Sequence, residues 1–94
     1  MSGYIAIVHK GPDTSYGVSF PDVPGCISAG DTFEKAVANA TEALAGHLAL
    51  MRADGDEIPA PRSFEELRGD QQFIDDAADA IVTMVTPQRI AAEA

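Results

Sequence analysis

Residues 16–26 read YGVSFPDVPGC, and this stretch decides how the chain is built. Its first half alternates large and small side chains, as does a strand that buries one face. Its second half holds two prolines, which cannot donate to a β-ladder, and a Pro-Gly step, which is a strong turn signal. We therefore predict a strand over residues 16–20 that ends in a rigid turn over residues 21–25.

A strand lies on each side of this stretch. Residues 4–10, YIAIVHK, are apolar on both faces until their end, which is typical of a buried central strand. Turn-forming residues 11–15 join the two strands and predict an antiparallel hairpin. Residues 26–30, CISAG, are few and small, which favours a third strand at an edge of the sheet.

A long amphipathic helix follows. Asp31 is a suitable N-cap, with Glu34 three positions later as in a capping box. Gly55 is suited to a left-handed C-terminal cap. Apolar residues recur at three- and four-residue spacing and predict one buried stripe: Phe33, Val37, Ala40, Leu44, Leu48 and Met51.

The second half predicts two short helices and a fourth strand. Ser63, with Glu66 three positions later, caps a short helical turn, and residues 71–79 form another short helix. Residues 80–85, AIVTMV, are apolar on both faces, which is typical of a central strand, and Pro87 ends them. The order β-β-β-α-β defines an α+β domain with one long helix packed on the sheet.

The predicted strand order is 3-2-1-4. If the fourth strand lies parallel beside the first, its crossover through the helix should be right-handed. The fourth strand would then be an edge, although it is too apolar for an exposed edge. Dimerisation or contact with a partner along this strand would resolve that conflict.

Composition narrows the classes of function. The chain of 94 residues suits one small domain, and its formal net charge of -9 argues against direct nucleic-acid binding and favours a basic partner. It contains no apolar run near the roughly 18 residues of a membrane helix and no basic N-terminal segment followed by an apolar one. Cys26 is the single cysteine, so we expect no internal disulfide, no membrane association and a cytoplasmic location.

Few residues suggest catalysis. His9 and His47 have no carboxylate and nucleophile at recognisable spacing, and Cys26 has no basic neighbour that would activate it. No cluster has zinc-ligand spacing and no glycine-rich loop has the spacing of a phosphate cradle, so we expect no metal and no cofactor. Three aspartates in separate turns are either ordinary turn residues or, if they converge, the carboxylates of a metal-dependent nuclease: Asp13, Asp22 and Asp31.

Carboxylates dominate residues 54–79, where only Arg62 and Arg68 oppose them. This run is either a solvated face or a docking surface for a basic protein. The turn over residues 21–25 is likewise either a structural corner or part of a binding surface. The candidate partner-binding residues are Pro21, Asp22, Pro24, Glu57, Glu65, Glu66 and Asp70.

Three segments together resemble the HicB antitoxins: residues 16–26, residues 29–32 (AGDT) with the alanine-rich helix that follows, and residues 54–61 (DGDEIPAP) with Ser63. The resemblance runs from Tyr4 to about Val85. It implies a partial ribonuclease H-like fold and a protein that binds a small basic HicA toxin, an mRNA-cleaving ribonuclease, and blocks its active-site histidine. It does not imply catalysis, because Ile5, Ile7 and Val8 stand where an active enzyme would carry a metal-binding carboxylate.

The resemblance also frames the domain organisation. Many members carry a C-terminal DNA-binding domain, whereas we expect residues 1–86 to be the antitoxin domain and residues 87–94 to be a short tail without one. We expect a homodimer or homotetramer whose partner is a HicA-like toxin. The alternatives are a stand-alone oligomeric module that binds another ligand and a residual metal-dependent nuclease.

Overall fold

A computed structural model describes residues 3–12 and 15–87. Its four strands form one sheet of order β3-β2-β1-β4, which confirms the predicted order and the α+β class. The elements along the chain are β1 (Tyr4–Lys10), β2 (Tyr16–Ser19), β3 (Ile27–Gly30), α1 (Phe33–Ala53), α2 (Phe64–Leu67), α3 (Gln71–Ala77) and β4 (Ile81–Val85).

Helix α1 packs on one face of the sheet through the predicted stripe. Ala40, Leu44 and Leu48 of the stripe are buried, and its other three residues pack half-buried against the same core. Ala36, which the prediction did not include, is buried as well. The predicted N-cap at Asp31 is wrong by one residue. Thr32 has an extended backbone that places its hydroxyl 3.0 Å from the Lys35 amide, from which it accepts a hydrogen bond.

The short helices cover the opposite face of β1. Leu67 from α2 and Phe73 from α3 form a second core with Ile5 and Ile7, while the alternate β1 residues face α1. Strand β1 is thus buried on both faces, as its uninterrupted apolar sequence predicts. None of the described helices has the length and apolarity that a bilayer span requires.

Strand β4 pairs antiparallel with β1, from Tyr4 opposite Val85 to Val8 opposite Ile81. The parallel arrangement considered from the sequence is therefore wrong. Residues 54–80 cause the reversal, because they do not return directly from α1 but make an additional pass across the opposite face. Strand β4 is also an edge rather than a central strand.

The chain passes from one face to the other at the end of the sheet that holds the 21–25 turn. Ile58 still packs against the α1-side core, and the Pro59 carbonyl accepts a hydrogen bond of 2.5 Å from the Tyr4 hydroxyl. Leu67 already belongs to the opposite core. The segment between Ile58 and Leu67 passes beside Asp22, whose carboxylate accepts a hydrogen bond from the Arg62 backbone N–H and fixes the segment there.

Candidate partner-binding groove

A groove of about 250 Å³ opens on the sheet face that carries α2 and α3. Helix α3 covers β1 and β4 on this face but leaves β2 and β3 uncovered. Ile27 of β3 is consequently 72% exposed, the most exposed of the large hydrophobic residues described. The groove runs between α3 and the 21–25 turn with β3, and Ile7 and Phe73 supply apolar lining.

An ion-pair network holds one part of the groove in place. Asp22 accepts hydrogen bonds of 2.6 Å from both the backbone N–H and the Nε–H of Arg62. The Arg62 Nη1 donates a hydrogen bond of 3.0 Å to the Asp70 carboxylate. The same carboxylate caps α3 by accepting a hydrogen bond of 2.9 Å from the backbone N–H of Gln72. Arg62 therefore connects the turn, the connector and the start of α3.

The network neutralises part of the local negative charge. The Arg62 guanidinium, with help from the Gln72 backbone N–H, lowers the pKa of Asp70 and keeps its carboxylate charged. The Asp22 side chain is only 7% exposed, so its charge is engaged with Arg62 rather than offered to a partner. The main effect of these two carboxylates is therefore to hold the groove's walls in place through Arg62.

The free charge of the groove comes from Asp76. This exposed residue lines the groove, and its carboxylate accepts hydrogen bonds of 3.1 and 3.2 Å from the neutral side-chain amide of Gln72. Within residues 3–12 and 15–87, no ion pair involves Asp76. The groove therefore combines an apolar lining with an uncompensated carboxylate.

The structure brings together only part of the predicted binding set. Pro21, Pro24 and Asp70 line the groove, and Asp22 lies behind it, gripping Arg62. The other members lie outside its lining: Glu57 is exposed in the connector, Glu65 pairs with Arg68 at 3.3 Å, and Glu66 closes the capping box with Ser63.

Sequence reasoning missed Ile27, Gln72 and Asp76 as groove residues. Two signals were present. A large branched residue in a short edge strand is unusual unless something covers it, and Gln72 and Asp76 are four residues apart, a spacing that puts them on one flank of a helix. The sequence gives no sign that α3 covers β1 and β4 and leaves β2 and β3 open.

The described residues do not support the nuclease alternative. Both Asp22 oxygens already accept hydrogen bonds from Arg62. Asp22 and Asp31 lie beyond opposite ends of the β2–β3 hairpin, whose four paired positions alone span roughly 10 Å, and Asp13 lies outside the described residues. No group of three potential ligands that could hold a metal ion occurs in residues 3–12 and 15–87.

The histidines and the cysteine have places consistent with structural roles. Cys26 is 3% exposed, and burial raises the pKa of its thiol, which disfavours the nucleophilic thiolate. His9 is exposed at the end of β1, and His47 is half-buried on α1.

The arrangement of sheet and helices is that of an antitoxin. It matches the crystal structure of the Burkholderia pseudomallei antitoxin HicB with a TM-score of 0.75 and 30% identity, over 96% of this chain and 73% of that one. It also matches a chain of the HicA3 and HicB3 toxin-antitoxin complex with a TM-score of 0.72 and 26% identity, over 93% of this chain and 99% of that one.

Sequence comparison gives the family. The model described as HicB_like antitoxin of bacterial toxin-antitoxin system matches residues 4–93, and the chain belongs to this family. A 14.9 kDa protein encoded in the rep-hol intergenic region of Haemophilus phage HP1 is 43% identical over 70 residues. That match covers 74% of this chain and 50% of the phage protein, so the chain spans about half the length of this relative.

Proposed function

We propose that this protein is an antitoxin that binds a small basic HicA-type mRNA interferase, masks its active site and has no catalytic activity of its own. The observation that carries the proposal is the likeness to a chain solved in a toxin-antitoxin complex, over 93% of this chain. The bacterial cytoplasm, where mRNA is available, is the location that this role requires.

The groove suits the chemistry of a basic partner. A lysine or arginine side chain has a long aliphatic stem and a charged head, so it can place the stem on apolar surface while the head meets a carboxylate. Ile27, which is 72% exposed, provides that apolar surface beside the buried Ile7 and Phe73 of the groove floor, and Asp76 provides the carboxylate. We therefore assign the groove as the contact for a cationic side chain of the toxin.

Long-range electrostatics supports the same partner. A net charge of -9 attracts a basic protein before contact and speeds association. Salt screens this attraction, so association of the two proteins should slow as ionic strength rises. A toxin whose basic surface binds RNA phosphates would meet a competing negative surface on the antitoxin.

Two neighbouring aspartates provide a matched test. Asp75 and Asp76 both lie exposed on α3, and each accepts a hydrogen bond from the glutamine four residues earlier. Only Asp76 lines the groove. Asp75→Lys and Asp76→Lys change the net charge equally, so the difference between them isolates the groove contact.

We expect Asp76→Lys to weaken binding of a purified HicA-type toxin on the order of tenfold more than Asp75→Lys does, because like charges would then meet in the groove. Isothermal titration calorimetry measures the affinity, and cleavage of a labelled RNA measures neutralisation. Equal affinities for the two variants would refute the groove assignment. Failure of the unmodified protein to protect the RNA would refute the proposed function itself.

Ile27 gives an independent apolar test. Replacement of a largely exposed residue costs the folded protein little, so loss of binding would report contact with the partner. Leu50 is the control, because it is 63% exposed on α1. Ile27→Ser should weaken toxin binding while Leu50→Ser leaves it unchanged, and the reverse result would place the interface on α1.

A further inference from the structure

The half of the sheet formed by β2 and β3 is covered on one face only. Helix α1 packs so closely on that face that a Cβ on Gly30 would lie 2.5 Å from the Ala36 backbone nitrogen. The exposure of β3 alternates accordingly, since Ile27 and Ala29 are exposed whereas Ser28 and Gly30 are half-buried. The face of β2 and β3 that points away from α1 is therefore open to solvent.

Four uncharged residues form this open face. Ile7, in the α3-side core, lies opposite Ser19, which in turn lies opposite Ile27. Gly17 lies opposite Ala29 two residues further along the ladder, and residues two apart in a strand share a face. A Cβ added to Gly17 would meet no described atom within 4 Å, so the space above it is free. We call Gly17, Ser19, Ile27 and Ala29 the open face; it continues the groove.

Helix α3 borders the open face along its length. Asp70 holds the start of α3 beside Arg62, at the end of the sheet that carries the 21–25 turn. The chain beyond α3 enters β4 at Ile81, opposite Val8, near the other end of β1. The helix therefore runs along the strands. We propose that an α-helix of the basic toxin lies on the open face beside α3, an inference that deepens the proposed function and rests on it.

The dimensions of the open face suit a single helix. Neighbouring strands lie roughly 4.8 Å apart, so two strands present a surface about 10 Å wide. A helix with its side chains is about 10 Å in diameter, and adjacent helices pack about 8–10 Å apart. One helix beside α3 would thus cover β2 and β3 together and complete the helical layer on this side of the sheet.

The side chains of the open face allow close approach. Gly17, Ser19 and Ala29 are small and make a nearly flat floor, from which Ile27 projects with 72% of its surface exposed. A helix with an apolar stripe could pack around Ile27 and remove this surface from water. The open face therefore favours an occupant whose contacting side is apolar.

Charge complementarity fixes the flank on which the partner helix carries its cations. The open face itself has no charge, whereas Asp76 lies at its border on α3 and forms no ion pair among the described residues. Lysine or arginine beside the apolar stripe, on the flank toward α3, would meet this carboxylate. The expected occupant is therefore an amphipathic helix of a basic protein, which a chain of net charge -9 attracts.

An added strand at the β3 edge is the main alternative, and two observations oppose it. The Ala29 carbonyl already accepts a hydrogen bond of 2.9 Å from the Asn39 side chain of α1, which engages one acceptor of this short strand. The exposed side chain of Ile27 projects from the face of the sheet, not from its edge. Cover over the face buries Ile27, whereas a strand at the edge leaves most of it in water.

Gly17→Tyr tests the open face, with Gly46→Tyr as the matched control. Both replace a glycine whose Cβ would meet no described atom within 4 Å and whose φ is not positive, so both variants should fold, as urea denaturation would verify. Tyrosine at position 17 would stand where the partner helix lies. Binding of a purified HicA-type toxin, measured by calorimetry, should weaken at least tenfold for Gly17→Tyr and stay unchanged for Gly46→Tyr.

The outcomes of this experiment separate two failures. A Gly17→Tyr protein that binds the toxin as tightly as the wild type overturns the helix on the open face and leaves the proposed function standing. A wild type that binds no HicA-type toxin overturns the proposed function, and the inference falls with it. Equal weakening by Gly17→Tyr and Gly46→Tyr also overturns the inference, because the effect would then not be specific to the open face.

Disulfide trapping identifies the element that covers the open face without a bulky substitution. Ala29→Cys adds one sulfur atom, and the native Cys26 does not compete because it is buried. Single cysteines placed along a cysteine-free toxin should cross-link at positions three or four residues apart, the spacing of one helix face. Cross-links two residues apart would indicate a strand and overturn the inference, as would a bound toxin that forms no cross-link with position 29.

Discussion

Asp22→Asn should destabilise the fold far more than its place in a surface turn suggests. The Asp22 carboxylate is 7% exposed and joins residues that are 40 positions apart in the sequence. Asparagine has nearly the same size and can still accept from the Arg62 backbone N–H. Its amide nitrogen, however, would then face the Arg62 Nε–H, so that one donor opposes another.

The magnitude follows from that geometry. A hydrogen bond to a charged group contributes roughly 1.5–3 kcal/mol, and the Arg62 side chain, which is 40% exposed, places this bond below the upper limit. We expect a loss of about 2 kcal/mol in the free energy of unfolding. For a domain of this size, that corresponds to a fall in Tm of roughly 8–16 °C.

Urea denaturation followed by circular dichroism measures the loss, and Asp70→Asn is the matched control. Both substitutions remove one negative charge from the same Arg62 network, but Asp70 is more exposed and asparagine caps a helix as well as aspartate does. Asp22→Asn should therefore have the lower urea midpoint. Equal midpoints for the two variants would refute the view that Asp22 fixes the crossing of the chain between the two faces.

Four substitutions test other parts of the fold. Because the Arg62 guanidinium lowers the pKa of Asp70 in the folded protein, its charged form stabilises the fold above the unfolded pKa of about 4. That stabilisation is lost as the pH falls through the lowered folded pKa, so the difference in urea midpoint between wild type and Asp70→Asn should shrink steadily as the pH is taken below about 4. Gly46→Ala should raise the free energy of unfolding by about 0.5–1 kcal/mol because its α1 site is open, whereas Gly55→Ala, at φ +80°, should lower it by roughly 1 kcal/mol. Gly30→Ala should lower Tm most of the three glycine variants, because its Cβ would lie 2.5 Å from a backbone nitrogen of α1.

Most of the secondary structure could be predicted from local hydrophobic periodicity. Strand β1 and helix α1 were predictable because each leaves a direct pattern in the sequence. Burial on both faces gives an uninterrupted apolar run, and a helix packed on one side gives apolar residues at three- and four-residue spacing. The cap shifted from Asp31 to Thr32 because both residue types can cap a helix, and only the backbone conformation decides between them.

The direction of β4 could not be predicted in the same way. It depends on the path of residues 54–80, whose short helices and proline-rich connector carry no long-range signal. The tie that fixes this path joins Asp22 to Arg62, and nothing local to either residue reveals the other. The prediction of binding residues was incomplete for the same reason. The sequence shows which residues are acidic, but it does not show which carboxylates pair with an arginine and which do not.

The described carboxylates near the groove therefore differ in function although they look alike in sequence. Asp22 and Asp70 pair with Arg62, which offsets one of their two charges, and hold the groove. Glu66 closes a helix cap, and Asp76 lines the groove without an ion pair among the described residues. A surface that is acidic everywhere would attract a basic protein without orienting it. In the proposed complex, the Asp76 carboxylate beside the exposed Ile27 would give that attraction a direction, because a lysine or arginine can satisfy both only in one orientation.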